Sequence, residues 1–226
     1  MPLNLAVLIS GSGSNLQSII DRVASGVLEA DIRLVASNRP EAYGLERARK
    51  AGIPTVVLPH GDYPSREDFD RALIAAIRDH GADAVAMAGF MRMVTPKFLQ
   101  SFPGRVLNIH PALLPSFPGT HGQRDAAEYG VRIAGCSVHF VDEGMDSGPI
   151  VIQAAVPALP TDNGETLGAR ILTMEHRIYP QALQWLSEGR LSAQGRKVFL
   201  APAAHPKAFV GDPCEFLVFP PLEEGF

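Results

Sequence analysis

Short runs of consecutive apolar residues recur through the first half of the chain, separated by stretches in which apolar positions return every third or fourth residue. A run that is apolar on both faces suits a strand buried inside a parallel sheet, whereas the three-to-four spacing suits an amphipathic helix. The pattern predicts strands over 5–10, 32–37, 55–58, 84–88 and 106–110, and helices over 16–24, 43–51, 66–80 and 96–101. In the third helix Phe69, Leu73, Ile74 and Ile77 keep helical spacing, and Ser65 stands where a cap is needed. Strands alternating with helices give a Rossmann-like, doubly wound α/β fold built on a mostly parallel sheet.

The pattern changes after Pro111, where Pro115, Pro118 and Gly119 predict a long loop with little periodicity. Such loops are where sites tend to be built. Beyond it, strands over 134–141 and 150–156 are expected to form an antiparallel extension of the sheet in the C-terminal half, with Asp146 in the loop between them. A last helix over 165–186 is expected to open on Asp162 and Glu165 as a capping box. Prolines 202, 206, 213, 220 and 221 predict an irregular tail after Gly189. The expectation is a single domain over 1–226, with a core over 4–190 and a tail over 190–226.

Composition narrows the class without choosing a function. With 226 residues, 46% hydrophobic and 19% charged, the chain can bury a sizeable core and is not disordered. A net charge of −4 gives no general attraction to nucleic acid or to anionic membrane, so an anionic ligand needs a local site. Two cysteines, Cys136 and Cys214, make neither a disulfide framework nor a metal pair. No apolar run approaches the roughly 20 residues of a membrane span, and no basic leader precedes the first strand. The expectation is a cytoplasmic protein without metal.

Two motifs carry chemistry. Ser10-Gly11-Ser12-Gly13-Ser14-Asn15 follows the first strand and opens a helix, where backbone N–H groups and the helix dipole suit a phosphate. Leu16 stands where a dinucleotide fingerprint has its third glycine, and Asn38 ends the second strand in place of an acid, so a single phosphate fits better than NAD. The plainer reading is that Ser14 and Gln17 form a capping box and the glycines serve backbone geometry alone. The second motif is Asn108-Ile109-His110, at the end of the strand over 106–110. Residues two apart share a face of a strand, so an amide donor and an imidazole point the same way. If the fold returns Asp146 to them, the three can stabilise an oxyanion, donate a proton and orient the donor. A histidine before a proline is more often a structural element than a catalyst, and an aspartate between glycines serves equally well as a turn residue. Of the other histidines, His60, His80 and His205 read as surface or turn residues, His139 as either structural or site-lining, and His121 as part of a mobile loop.

The chain resembles the phosphoribosylglycinamide formyltransferase family across roughly residues 4–190. The runs that carry the likeness are Ile9-Ser10-Gly11-Ser12-Gly13-Ser14-Asn15-Leu16-Gln17, Ala88-Gly89-Phe90-Met91-Arg92, Leu107-Asn108-Ile109-His110-Pro111-Ala112-Leu113-Leu114-Pro115, Gly135-Cys136-Ser137-Val138-His139-Phe140-Val141, Met145-Asp146-Ser147-Gly148-Pro149-Ile150 and Glu175-His176-Arg177-Ile178-Tyr179-Pro180. The resemblance implies that Asn108, His110 and Asp146 are catalytic. Gly13, Ser14 and Asn15 would hold the ribose phosphate, and Glu175 would recognise the glycinamide. Met91, Arg92, Met93 and Val94, with Asn108 and the loop residues Asp142, Glu143, Gly144, Met145 and Asp146, would line the folate pocket, with Arg66 nearby. It implies 10-formyltetrahydrofolate as co-substrate, only small-molecule partners, a monomer or homodimer, and direct attack of the amine on the formyl carbon with Asp146 favouring a charged His110.

Three other readings stand beside it, two of which differ in the acceptor. A formyltetrahydrofolate hydrolase would use water but is expected to carry a further amino-terminal domain, whereas this chain begins at the first strand. A transfer-RNA formyltransferase calls for a basic C-terminal domain, against the net charge here. A non-catalytic nucleotide-binding module would explain the glycine turn and leave the catalytic trio without a purpose.

Overall fold

The structure is a computed structural model and describes residues 2–203 and 217–226. The chain divides into two compact units, Met1–Asn108 with Val141–Glu143, and Ile109–Phe140 with Gly144–Phe226.

The first unit holds β1 (Leu3–Ile9), α1 (Ser14–Ala24), β2 (Ala30–Ser37), α2 (Gly44–Lys50), β3 (Thr55–Val57), α3 (Arg66–Asp79), β4 (Ala84–Met87), α4 (Pro96–Ser101) and the first three residues of β5 (Val106–His110). Its strands run β5-β4-β1-β2-β3, and every pairing is parallel. Phe69, Leu73 and Ile77 of α3 and Phe98 of α4 pack with Leu8, Leu34, Val85 and Val106 in one buried cluster. The α2 helix lies against Ile9, whose Cδ1 would sit 2.5 Å from a Cβ placed on Gly44. Apolar contacts on both faces explain why these strands read as unbroken apolar runs. Ser65 caps α3 as expected, its Oγ accepting from the Asp68 N–H at 3.0 Å.

The second unit holds α5 (Gly122–Tyr129), β6 (Ile133–Phe140), β7 (Ile150–Pro157), α6 (Gly164–Ser187), β8 (Leu191–Gln194), β9 (Lys197–Leu200) and β10 (Leu217–Phe219). β6, β7 and β10 pair antiparallel, with β7 in the middle. Tyr179 and Trp185 of α6 are fully buried. The α/β class, the parallel strands and the antiparallel extension agree with the sequence reading.

Four local expectations are corrected. The N-cap of α1 is Gly13, which makes no side-chain cap bond. Gln17 instead donates to Asp21 and accepts from Arg47, so the expected Ser14 and Gln17 box does not form. The capping box of α6 is Asn163 with Thr166, one residue on from the expected pair. Asp162 is drawn away by Arg170, which donates to both its carboxylate oxygens. The stretch after Pro111 is not loop throughout, since α5 starts at Gly122 with His121 as its N-cap residue. Only Gly122 and Ala126 of that helix are buried, so it carries no apolar stripe for periodicity to detect. The tail is not wholly irregular either: β8 and β9 form a hairpin and β10 extends the β7 edge. His205, Pro206, Pro213 and Cys214 lie outside the described residues.

Candidate active site

The glycine turn is built by one buried serine and one close backbone approach. Ser10 follows β1, and its Oγ donates to Asn38 Oδ1 at 2.6 Å while accepting from the Met91 N–H at 2.9 Å. Its own N–H donates to the Gly89 carbonyl at 3.1 Å, so the turn is tied to the segment after β4. Gly13 has φ 69°, and a Cβ there would lie 2.6 Å from Gly44 Cα. Glycine is therefore required at 13 for backbone geometry, whatever the turn binds. Ser14 and Asn15 are the first residues of α1, and Arg47 of α2 donates from Nε to the Ser12 carbonyl at 2.9 Å. Arg47 places a cation beside a phosphate-type turn, and no spacing in the sequence pointed to it.

The expected folate segment follows β4. Met91 and Met93 are exposed and Val94 is buried. Arg66, at the start of α3, donates to the Met93 carbonyl at 3.1 Å. Arg92 lies with its guanidinium carbon 4.6 Å from the Phe69 ring centroid, and its buried Nε has no hydrogen-bond partner. Asp142 and Glu143 follow Val141, whose N–H donates to the Val106 carbonyl at 3.0 Å and so holds that segment against β5.

Asn108 and His110 share β5, and Asn108 pairs with Met87 of β4. His110 is buried. Its Nδ1 lies 3.4 Å from Asp146 Oδ2, and its Nε2 lies 2.8 Å from the Phe117 carbonyl. Both ring nitrogens thus lie against oxygen acceptors. Asp146 Oδ2 also accepts from the Gly119 N–H at 2.8 Å. Asp146 adopts φ 49° and Phe117 φ 51°, a backbone region that costs a non-glycine residue about 1 kcal/mol or more.

His139 completes the cluster. Its Nε2 lies 3.6 Å from Asp146 Oδ1, and its Nδ1 lies 2.9 Å from the Phe140 carbonyl. Burial opposes ionisation of Asp146, but the His139 hydrogen bond, the Gly119 N–H and the nearby charges of both histidines outweigh it. The carboxyl is held below its ordinary range.

Two polar residues brace the segment after His110. Ser137 of β6 is fully buried; its Oγ donates to the Ala112 carbonyl at 2.7 Å and accepts from the Leu114 N–H at 3.1 Å. Gln153, its partner across β7, donates to Ser137 Oγ at 2.9 Å and to the Leu114 carbonyl at 3.0 Å. The Leu114–Pro115 bond they flank is cis. Neither residue was singled out from sequence, though polar residues facing each other in apolar strands are a usable signal. Glu175 is buried on α6, and with burial as the larger cause it helps push the Cys136 thiol well above its ordinary range. His121 is exposed at the start of α5. Among the described residues no group of histidine, cysteine, aspartate and glutamate is arranged to hold a metal, and no helix is long and apolar enough to cross a membrane.

A buried strand-end histidine 3.4 Å from an acid, on an α/β scaffold, is an arrangement suited to holding and moving a proton. The class is that of the formyl transferases, whose family matches residues 3–183. The phosphoribosylglycinamide formyltransferase of Escherichia coli (strain K12) is 46% identical over 198 residues, 88% of this chain and 93% of that protein. The human trifunctional purine biosynthetic protein adenosine-3 is 45% identical over 82% of this chain, which spans only 18% of that protein's length. The crystal structure of glycinamide ribonucleotide transformylase 1 from Symbiobacterium toebii superposes with a TM-score of 0.87 at 50% identity, covering 88% of this chain and 94% of that one. The chain belongs to the phosphoribosylglycinamide formyltransferase family.

Proposed function

We propose that the chain transfers the formyl group of 10-formyltetrahydrofolate to the amine of N1-(5-phosphoribosyl)glycinamide, a step of purine biosynthesis. The observation that carries this reading is Asp146, held by the Gly119 N–H at 2.8 Å and set 3.4 Å from His110 Nδ1. The amine attacks the formyl carbon and the carbonyl oxygen becomes an oxyanion. The Asn108 amide and His110 Nε2 donate to that oxygen, which takes the acceptor position filled here by the Phe117 carbonyl. The attacking nitrogen gives up its proton through Asp146 and water, and the folate nitrogen takes one as the carbon–nitrogen bond breaks. No covalent enzyme intermediate is needed.

The N–H groups of Gly13, Ser14 and Asn15, at the start of α1 with Arg47 alongside, hold the ribose phosphate, and Glu175 recognises the glycinamide. The folate lies on Met91, Arg92, Met93 and Val94 and the loop Asp142, Glu143, Gly144, Met145 and Asp146, with Arg66 ordering Met93. The exposed Met91 and Met93 suit a flat ring with an apolar face. The two compact units act as one formyltransferase domain, since the family match runs through both. It works in the cytoplasm as a monomer or homodimer, and its scarcity of cysteine suits a reducing compartment.

Tetrahydrofolate release, measured with and without phosphoribosylglycinamide, tests this reading. Release is expected only with the amine. Release into water alone would make the chain a hydrolase, and no release under either condition would leave a binding module.

A further inference from the structure

The β8–β9 hairpin lies beyond the residues 3–183 that match the family, and its turn is Gly195-Arg196. Gly195 has φ 59°, the left-handed backbone a tight hairpin turn requires. The hairpin is anchored at its base. The Arg190 carbonyl accepts from the Ala201 N–H at 2.9 Å, and Arg190 Nε donates to the Ala201 carbonyl at 2.8 Å. Arg190 is itself buried against Glu188 and Glu223. A base so fixed gives the tip a defined position. There Arg196 Nη1 donates to the Ser147 carbonyl at 2.7 Å.

Ser147 follows Asp146, the residue whose left-handed backbone has to be imposed from outside. The loop between β6 and β7 is closed at its base by the Phe140 N–H on the Pro149 carbonyl at 2.9 Å. Nearer its tip it borders a cavity of about 190 Å³, lined by Leu114, Pro115, Pro118 and Met145 together with Asp146 and Arg196. Two polar bonds reach the loop at that point, from the Gly119 N–H to Asp146 and from the Arg196 guanidinium to the Ser147 carbonyl.

We propose that Arg196 is a positioning residue: the hairpin carries a guanidinium that keeps the β6–β7 loop in the conformation aiming the Asp146 carboxylate at His110. The inference rests on the proposed catalytic role of Asp146. It extends the functional chain to a C-terminal hairpin beyond residues 3–183.

The test uses the full chain and compares Arg196→Ala, Arg196→Lys, Lys197→Ala and Asp146→Asn, with kcat and both KM values measured and thermal unfolding as a check on folding. Arg196→Ala is expected to lower kcat roughly tenfold to a hundredfold, the range for one charge-assisted hydrogen bond, with the KM for the amine within about twofold. Arg196→Lys should restore most of the loss, because an ammonium also donates to a carbonyl. Lys197→Ala, which removes the neighbouring charge, should match the unaltered chain. A normal kcat in Arg196→Ala, a change in KM alone, or an equal loss in Lys197→Ala would overturn the proposal while Asp146→Asn remained impaired. Full activity in Asp146→Asn would remove the catalytic reading and this inference with it.

Discussion

Replacing Asp146 by asparagine removes one negative charge and little else, so it isolates what that charge contributes. The amide keeps the side chain's volume, and its oxygen can still accept the Gly119 N–H that lies 2.8 Å away. Its NH₂ group then faces His139 Nε2, which accepts a hydrogen bond once the ring's proton sits on Nδ1 against the Phe140 carbonyl. The fold should therefore tolerate the change. His110 loses its counter-charge at 3.4 Å, an attraction of about 5 kcal/mol at an effective dielectric of 20. The retained hydrogen bonds and water offset part of that, so the expected fall in kcat is roughly 100-fold to 1,000-fold, with KM little changed. The assay is tetrahydrofolate release at saturating substrates, paired with thermal unfolding. A folded variant within about threefold of normal turnover would refute the argument.

The same variant has a pH signature in stability. Asp146 has a folded pKa below its ordinary value, so its contribution is present at neutral pH and is lost as the pH falls through the depressed value. The gap in stability between the unaltered chain and Asp146→Asn should be full at pH 7 and shrink only below the ordinary 3.8. An acid limb of activity near neutrality would then belong to another group.

His110→Ala should lower kcat by roughly 100-fold to 10,000-fold in a folded protein, and Asn108→Ala should raise the barrier by about 3 kcal/mol; steady-state kinetics check both, and an effect of Asn108→Ala on KM alone would make it a binding residue. Gly13→Ala should cost about 1 kcal/mol for the backbone and a further ~1–3 kcal/mol for the 2.6 Å approach to Gly44, with weaker capture of the phosphorylated amine. Gly11→Ala, where a new Cβ meets nothing within 4 Å, should be close to neutral in the same urea unfolding and binding measurements. Asn163→Ala should destabilise the chain by about 1 kcal/mol in urea unfolding, because it removes the acceptor for the Glu165 and Thr166 N–H groups.

The parallel strands, the first four helices and the positions of Asn108, His110 and Asp146 were legible because apolar runs and helical spacing are written within a few neighbouring residues. Those signals hold wherever the rest of the chain goes. The family likeness was legible for the same reason, being carried by contiguous motifs. Tertiary structure decided the remainder. Which residue caps α6 depended on Arg170 claiming Asp162, and α5 carries too little buried apolar surface to announce itself. His139 joined the cluster because the loop after β6 folds Asp146 back onto its strand, and Arg196 reached Ser147 because β8 and β9 pair. Each of these contacts spans a chain closure whose geometry no local pattern encodes, so the sequence determined the scaffold and the candidate groups, while the fold chose the partners that hold them.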